Sequence, residues 1–363
     1  MSARVLCLNP GGGSTRVACF EGDRALFTEE ILHDEASLRA AATFEAQIAL
    51  RLVAIRAAIA EHGLALQRLA AVVGRGGPYR PLPGGTYRVN AALLEDIAAG
   101  RLMADHPSKL GAPLAHALAA EAGVPAFVVD PVSVDELRPE ARLSGLPELP
   151  RTSLFHALNI RAVARRHAAG VGRPLAELRL VVAHLGSGVS VALLLDGRVV
   201  DVNNSADEGP FSTRRAGSVP ATGLLGLAGQ PGFDARAMKR RLMSEGGLLA
   251  HLGTADLAAA EARAAAGDTT AEATLEAMAY QVAKAIGALA AAAQGRLDGI
   301  VLTGGMARCA SWLARVRRRV AWIAPVAVHP GEEEMRALAE GARAALSGAE
   351  PVRRYPDGEP ELG

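Results

Sequence analysis

Cysteine is scarce in this chain, and its scarcity excludes two ways of stabilising a small fold. Only three cysteines occur among 363 residues, at Cys7, Cys19 and Cys309. They are too few and too scattered for a disulfide framework or a zinc site. Cys7 and Cys19 lie in apolar runs, where we expect buried, unreactive thiols.

Aromatic residues and net charge are also in short supply. Phe, Trp and Tyr make up 4% of the chain, too little for the stacking surfaces that hold single-stranded nucleic acid. The 39 basic and 38 acidic residues leave a formal net charge of +1. This balance gives no overall electrostatic signal for nucleic acid or an anionic membrane surface, although it permits a local anion site. We therefore expect no nucleic-acid partner.

Long apolar runs are missing as well. No uncharged run reaches the length of a membrane span, and the first residues lack a basic region followed by an apolar core and a cleavage site. We expect a cytoplasmic protein with no membrane association. Half of the residues are apolar, so the chain is long enough for two domains, each with its own core.

The main positive signal is a glycine-rich loop between two apolar runs. Val5–Phe20 reads VLCLNPGGGSTRVACF, which predicts strand, loop and strand. Glycines let backbone N–H groups approach an anion, and Ser14 and Thr15 add hydroxyl donors. The loop is neither a Walker A loop nor a dinucleotide fingerprint, because no lysine follows and the next element is a strand. Alone, it is equally compatible with a hairpin turn that binds nothing.

A second copy of this pattern strengthens the phosphate interpretation. Residues 181–200 read VVAHLGSGVSVALLLDGRVV, and a shift of 175 residues lays them over the first stretch without a gap. The matched residues are Asn9 with His184, Gly11 with Gly186, Gly13 with Gly188, Thr15 with Ser190, and Glu21-Gly22 with Asp196-Gly197. We interpret the repeat as a duplicated domain with two phosphate-facing hairpins opposed across a cleft.

Charged residues follow two further predicted strands. Arg75 comes after LAAVV at 69–73 and lies among glycines, which favours an anion ligand over a solvated surface residue. Asp130 follows the short strand predicted at 126–129. The carboxyl ends of strands are where α/β sheets place ligands, so Asp130 could reach a metal or a substrate. The alternative for Asp130 is a helix cap or a turn former.

Four other features are candidates of differing strength. His156 falls in a helix predicted over 152–167, where a histidine is more often a core residue than a catalytic one. Arg215 lies in a long polar loop over 201–220, and such loops are usually functional or mobile. Gly304 and Gly305 follow a predicted strand and would let a nucleoside lie against the backbone. The acidic run at 332–334 suits a helix start and could also bind a hydrated Mg²⁺.

Taken together, these motifs resemble the butyrate kinases, the short-chain and branched-chain carboxylate kinases related to acetate kinase. Their superfamily also contains sugar kinases, heat-shock ATPases and actin. The resemblance covers nearly all of residues 4–347. It rests on LNPGGGST, VVGRGG with PLPGGTY, DPVSVDEL, RLSGLPE, SLFHALN, AHLGSGVSV, DVNNS, EGPFS, HLGTAD, EAMAYQVAK, IVLTGGMA, IAPV and PGEEEM.

The resemblance implies an α/β fold of two actin-like (ribonuclease H-like) domains, a duplicated ββαβαβα unit with the nucleotide cleft between them. Residues 1–170 would form the N-terminal domain, with the carboxylate-binding side and the first phosphate loop. Residues 171–347 would form the C-terminal domain, with the last helix, from about 332, returning to the first domain. We expect residues 348–363 to be a disordered tail, and the resemblance further implies a homodimer.

The resemblance also implies roles for individual residues. The first phosphate loop would comprise Asn9, Gly11, Gly12, Gly13, Ser14 and Thr15, and the second His184, Gly186, Ser187 and Gly188. The catalytic residues would be Arg75 on the substrate carboxylate, Arg215 on the transferring phosphoryl group, His156 at the transition state, and Asp130. Asp130 and Glu333 would hold Mg²⁺, and Gly304 and Gly305 would contact adenosine.

The expected activity is reversible, Mg²⁺-dependent transfer of a phosphoryl group from ATP to butyrate or a branched short-chain carboxylate. The first loop departs from the family pattern, Asn-Pro-Gly-Ser-Thr-Ser-Thr-Lys, because Gly12, Gly13 and Arg16 replace Ser, Thr and Lys. Two alternatives therefore stay open: an acetate or propionate kinase, and a nucleotide-binding regulator with weakened catalysis. A sugar-directed enzyme fits these motifs poorly.

Overall fold

The computed structural model describes residues 3–361 and divides them into two compact units. One unit runs to Asp135 and resumes at Glu333, and the other spans Glu136–Glu332. This division differs from the boundary expected at residue 170. Residues 157–170 form a helix that packs on the sheet of the second unit, so the stretch 136–170 lies with that unit.

The strands and helices have the following bounds. The strands are β1 (Arg4–Pro10), β2 (Ser14–Glu21), β3 (Arg24–Leu32), β4 (Leu69–Arg75), β5 (Thr86–Arg88), β6 (Ala126–Val129), β7 (Leu180–Leu185), β8 (Val189–Leu195), β9 (Arg198–Val202), β10 (Gly299–Gly304), β11 (Val326–Pro330) and β12 (Val352–Arg353). The helices are α1 (Glu35–Ala40), α2 (Phe44–Glu61), α3 (Ala91–Ala98), α4 (Gly111–Ala122), α5 (Pro139–Arg142), α6 (Ala157–Gly170), α7 (Ala221–Ala228), α8 (Ala235–Ser244), α9 (Gly247–Leu252), α10 (Leu257–Ala265), α11 (Thr269–Ala292), α12 (Ala310–Val320) and α13 (Glu334–Leu346).

The sheet of the first unit has the strand order β12-β5-β6-β4-β1-β2-β3. β1, β2 and β3 form an antiparallel meander, and β4 and β6 continue parallel to β1. Helices α2 and α4 share a core with one face of the sheet, while α13 packs on the other. Because both faces are covered, almost every residue of β1 is buried, which explains why its sequence is a continuous apolar run.

The sheet of the second unit has the order β11-β10-β7-β8-β9. This is the order β6-β4-β1-β2-β3 again, with the same antiparallel meander followed by parallel strands. Helices α11 and α12 contribute to the core on one face, and α6 packs on β7 and β10. The repeated order is the one a duplicated domain predicts. Each unit also contains a third meander strand, β3 or β9, which the expected ββαβαβα pattern lacked.

Strand register corrects the sequence alignment of the two hairpins. Pro10 pairs with Thr15 and leaves four residues in the first loop, whereas Leu185 pairs with Val189 and leaves three in the second. The 175-residue shift therefore holds only as far as the loop. Beyond it the equivalent positions are 174 residues apart, so Thr15 corresponds to Val189 rather than to Ser190.

The irregularities in the second strand of each hairpin follow the same offset. The register shifts between Cys19 and Phe20 in one unit and between Leu193 and Leu194 in the other. The expected match of Glu21-Gly22 with Asp196-Gly197 is wrong by one residue for this reason. An ungapped comparison could not detect the difference, because the missing residue falls within a run of glycines and small residues.

The C-terminal segment is ordered, contrary to the expected disordered tail. Its strand β12 pairs with β5, and Tyr355 is 2% exposed. The Tyr355 hydroxyl donates a hydrogen bond of 2.6 Å to Asp96, a residue 259 positions earlier. A composition rich in proline and charge suggested disorder, but pairing with β5 and burial of the Tyr355 ring hold the segment.

Two predicted helices differ in their limits. The helix predicted over 37–62 is two helices, because the chain breaks after Ala41 and restarts with Thr43, whose side chain caps the N-terminus of α2. The helix predicted from residue 152 begins at Ala157, so His156 precedes it and does not lie on a helical face. Within residues 3–361, no helix is both long and apolar enough to cross a lipid bilayer.

Candidate functional site

The glycine-rich loop of the first unit has an inner side and an open side. Gly11 N–H bonds to Ser14 O at 2.8 Å, and Gly13 O accepts from His33 N at 2.9 Å. Gly12 and Gly13 are exposed, and a Cβ added to either would meet no heavy atom within 4 Å. Packing does not require glycine at these two positions, so the open side is free for a bulky anion.

The two hydroxyls of this loop are already engaged. Ser14 donates to Glu30 at 2.9 Å, and the Thr15 oxygen lies 2.8 Å from His33 Nε2 and 2.7 Å from Arg51 Nη1. Thr15 has no exposed surface. Burial, reinforced by the charge of Arg51, lowers the pKa of His33. In this conformation Thr15 supports the loop from within and does not face its open side.

Arg75, at the end of β4, belongs to a polar cluster in the same unit. Its Nη1 lies 3.0 Å from the Glu334 carboxylate, which also accepts a hydrogen bond of 2.6 Å from Asn9 Nδ2. Glu334 is buried, and Arg75 Nε is buried without a hydrogen-bond partner. The end of β4 lies tightly against the start of α4, since a Cβ on Gly74 would come within 2.1 Å of Gly111 O.

Asp130, at the end of β6, is held in an uncommon backbone conformation. Its φ is 39°, its N–H donates to Gly85 O at 2.9 Å, and its carboxylate accepts from Gly85 N at 2.8 Å. Such positive φ values are uncommon outside glycine and recur at ligand sites. Glu333 is exposed at the start of α13. Among residues 3–361 no group of three or more His, Cys, Asp or Glu side chains is arranged to hold a metal ion.

The second unit brings two of the predicted residues into direct contact. The rings of His156 and His184 stack with centroids 4.0 Å apart and an 11° angle between their planes. Asn159 Nδ2 lies 2.7 Å from His184 Nδ1, and Ser190 Oγ lies 2.8 Å from His156 Nδ1. Each ring is therefore held at one nitrogen by a polar neighbour.

The second glycine loop is shaped by two charged side chains. A Cβ on Gly188 would lie 2.5 Å from Arg215 Nη1, and one on Gly186 would lie 2.9 Å from Glu332 Oε1. Glu332 Oε1 is also 3.3 Å from His184 Nε2. Glycine at 186 and 188 is thus required for these side chains to approach the backbone.

Further along the second unit, Gly304 has a φ of 95° and forms a bridge with Gly331. A Cβ on Gly304 would collide with Leu185 O at 2.3 Å, which ties the end of β10 to β7. Gly305 opens a 3-10 turn, Gly305–Arg308, and no heavy atom lies within 4 Å of a Cβ placed there. The backbone at Gly305 is accordingly approachable, as a nucleoside site requires. Exposed Ser187, at the tip of the second loop, accepts from Ser212 through its carbonyl at 2.5 Å.

Several residues of these clusters were not predicted as site residues. Their sequence signals are weak because each depends on a partner distant in the chain. Glu332 and Glu334 stood in the acidic run from which Glu333 alone was chosen. Arg51 was detectable only as a charge adjoining the apolar face of α2. The remaining two are Asn159 and Ser190.

The chain is similar to known proteins over nearly its whole length. The acetokinase family matches residues 150–345. A probable butyrate kinase from Coprothermobacter proteolyticus is 45% identical over 357 residues, covering 98% of this chain and 100% of its own. Probable butyrate kinase 2 from Caldanaerobacter subterraneus is 42% identical, covering 97% of this chain and 99% of its own. The crystal structure of Porphyromonas gingivalis acetate kinase aligns with a TM-score of 0.78 at 18% identity, covering 95% of this chain and 100% of that structure. This similarity confirms the two-domain actin-like fold.

Proposed function

The chain belongs to the acetokinase family, and we propose that it transfers the γ-phosphoryl group of ATP to butyrate or a branched short-chain carboxylate. The products are an acyl phosphate and ADP, and the reaction is reversible. The observation that carries this proposal is the 45% identity to a probable butyrate kinase over 98% of this chain and 100% of that protein.

The substrate acid is its own nucleophile. A carboxyl group with a pKa of about 4 is ionised at pH 7, so no general base is needed. One carboxylate oxygen forms a bond to the γ-phosphorus while the bond to the β–γ bridging oxygen breaks, and that electron pair leaves with ADP. The protein then has to supply alignment and positive charge around the transferring group.

In the first unit we assign Arg75 to the substrate carboxylate. Its buried Nε has no acceptor within the described chain, and a carboxylate oxygen would provide one. Asn9 and Glu334 hold the other side of the guanidinium. We assign the phosphate-facing role in this loop to the open amides of Gly12 and Gly13, since Thr15 lies inward.

In the second unit we assign Arg215 and His156 to the equatorial oxygens of the transferring phosphoryl group. His184, Gly186, Ser187 and Gly188 would bind the phosphates, and Gly304 and Gly305 the adenosine. The support is local: Arg215 lies directly on Gly188, His156 stacks on His184, and the backbone at Gly305 is open.

Magnesium fits this chemistry through hard oxygen donors. Mg²⁺ usually keeps several waters and binds through one or two carboxylates together with substrate phosphates, so a cluster of three protein ligands is not required. We assign Asp130 and Glu333 to the ion. Glu333 is exposed, and one Asp130 oxygen is already oriented by Gly85. Bound there with ATP, the ion would neutralise phosphate charge.

Two alternatives are distinguished by experiment. The size of the acid pocket would distinguish an acetate or propionate kinase from a butyrate kinase, and each methylene contributes about 1–3 kcal/mol of discrimination. A nucleotide-binding regulator with weakened catalysis is motivated by the glycine-rich first loop. We further propose that the protein is a cytoplasmic homodimer. Light scattering coupled to gel filtration would test the oligomeric state.

The deciding experiment is a hydroxamate assay with Mg·ATP that traps acyl phosphate. It is run in parallel with acetate, propionate, butyrate, isobutyrate and isovalerate. Most product from the four- and five-carbon acids supports the proposal, and most product from acetate supports the alternative enzyme. No product from any acid, with ATP binding intact by calorimetry, supports the regulator.

Adjacent arginines provide a matched test of the mechanism. Arg215→Ala should lower turnover by orders of magnitude while ATP still binds, because a charge on the transferring phosphoryl group acts mainly in the transition state. Arg214→Ala is the control, since Arg214 is the exposed neighbour. Equal turnover in the two variants would remove Arg215 from the mechanism.

A further inference from the structure

A buried arginine lies directly beneath the glycine-rich loop of the first unit. Arg51, on α2, is 1% exposed. Its Nη2 donates to Gly11 O at 2.9 Å and Gly12 O at 3.1 Å, and its Nη1 donates to Ser14 O at 2.9 Å and Thr15 Oγ1 at 2.7 Å. One guanidinium therefore binds four oxygens spread over five consecutive residues.

These bonds determine which way the loop amides point. In a trans peptide the carbonyl and the following N–H lie on opposite sides of the chain. Since Gly11 O and Gly12 O turn inward to Arg51, the N–H groups of Gly12 and Gly13 turn outward. Neither N–H has an acceptor within the described part of the chain. Both residues are exposed, and the space above them is open.

The charge of Arg51 is also left uncompensated. Its four acceptors are three carbonyls and a hydroxyl, all neutral, and no carboxylate lies within 4 Å of it among residues 3–361. By contrast, Arg161, whose side chain is 13% exposed, is ion-paired with Glu136. A buried cation without a counter-ion is costly, and a bound phosphate on the open side would offset that cost.

We propose that Arg51 is a positioning residue for phosphate binding: it fixes the Gly11–Thr15 loop with its amides outward and supplies positive charge from below. The inference rests on the proposed function and adds a residue to it. It also explains how the loop tolerates glycines at 12 and 13, where the family pattern has serine and threonine. Side chains at 12 and 13 would order the loop in the family pattern. In this chain Arg51 of α2 orders it instead.

The kinetic test compares Arg51→Met and Arg51→Lys with Arg56→Met. Arg56 lies on the same helix but is exposed, paired with Glu121. We expect kcat/KM for ATP to fall about 100-fold in Arg51→Met, because small misplacements of binding groups cost this much. Arg51→Lys keeps the charge but loses the two Nη donors that bind the loop, and we expect kcat/KM for ATP to fall about tenfold. KM for the carboxylate, the inhibition constant of adenosine, and the Arg56→Met enzyme should stay within threefold of the native values.

A second readout does not depend on activity. With selective ¹⁵N-glycine labelling, the amides of Gly12 and Gly13 are assigned through Gly12→Ala and Gly13→Ala, and their order parameters are measured. We expect both to fall in Arg51→Lys and to stay unchanged in Arg56→Met. Should Arg51→Met fail to fold, Arg51→Lys carries the test alone.

The outcomes separate this inference from the proposed function. Disorder at Gly12 and Gly13 with an unchanged kcat/KM for ATP would overturn the positioning role, and a lost kcat/KM with unchanged order would overturn the loop-fixing explanation. If the native protein forms no acyl phosphate, the proposed function fails. Calorimetric binding of Mg·ADP to the native, Arg51→Lys and Arg56→Met proteins still decides the role of Arg51: selective weakening in Arg51→Lys supports it, and equal affinities overturn it.

Discussion

The guanidinium of Arg75 lies 3.0 Å from the carboxylate of Glu334, a residue 259 positions later in the chain. Both groups are largely buried, at 18% and 7% side-chain exposure. The cation assigned to the substrate acid is therefore already paired within its own unit. A substrate carboxylate would therefore bind an arginine that is already ion-paired, at the unpartnered Nε of Arg75.

This pair predicts a coupled stability effect. Arg75→Gln should lower the free energy of unfolding by roughly 3 kcal/mol, because it leaves the Glu334 carboxylate buried without its cation. Adding Glu334→Gln should recover most of that loss, and urea unfolding of the four proteins measures the coupling. Additive losses in the double variant would contradict the ion pair. In the hydroxamate assay Arg75→Gln should also raise KM for the carboxylate at least tenfold.

The contact between Gly188 and Arg215 predicts a strong effect from a single methyl group. In Gly188→Ala the new Cβ would sit 2.5 Å from Arg215 Nη1, so the guanidinium must move. We expect kcat to fall at least tenfold with little change in melting temperature. Gly287→Ala, in the interior of α11 where a Cβ meets nothing within 4 Å, is the control and should keep full activity. A fully active Gly188→Ala enzyme would show that the position of Arg215 does not matter.

The sequence predicted the local structural features of the candidate site. Glycine loops after apolar runs, and the charged residues Arg75 and Asp130 at strand ends, lie where the pattern placed them, because strand periodicity and loop composition are local properties. Residues whose contacts are with partners distant in the sequence were not predicted. Arg51 lies 36 residues from Thr15, and Glu334 lies 325 residues from Asn9.

The fold shows the same division. The central strands of both sheets were predicted, because buried strands are continuous apolar runs. The strand β3 was missed because its exposed positions interrupt the apolar pattern. The ordered tail was missed because its order depends on tertiary contacts, namely the pairing of β12 with β5 and the packing of Tyr355 near Asp96.

The cluster around Asp96 predicts a specific acid sensitivity. Burial raises the pKa of Asp96, but hydrogen bonds from Tyr355, Arg101 and Arg80 outweigh it and lower that pKa to about 2. A carboxylate with a depressed pKa stabilises the folded state above its ordinary pKa of about 3.9, and this stabilisation is lost as pH falls from there towards 2. Urea unfolding as a function of pH should show this loss in the native protein and a flatter curve in Asp96→Asn. Parallel curves between pH 4 and 2 would contradict the assignment.

The last prediction concerns the proton of His184. Asn159 Nδ2 donates to His184 Nδ1 at 2.7 Å, which requires that nitrogen to be an acceptor and puts the proton of the neutral ring on Nε2, towards Glu332 Oε1 at 3.3 Å. Asn159→Leu removes the donor, so both tautomers of His184 become accessible. The His184 ring, on which His156 stacks, is then no longer held in place. We expect a fall in kcat of about ten- to 100-fold, with melting temperature measured alongside to separate this effect from unfolding. The ¹⁵N shifts of His184 provide the direct readout: an Nε2–H ring in the native protein and a mixture of tautomers in the variant. An Nδ1–H ring in the native protein would contradict the arrangement, because Asn159 could not then donate to it.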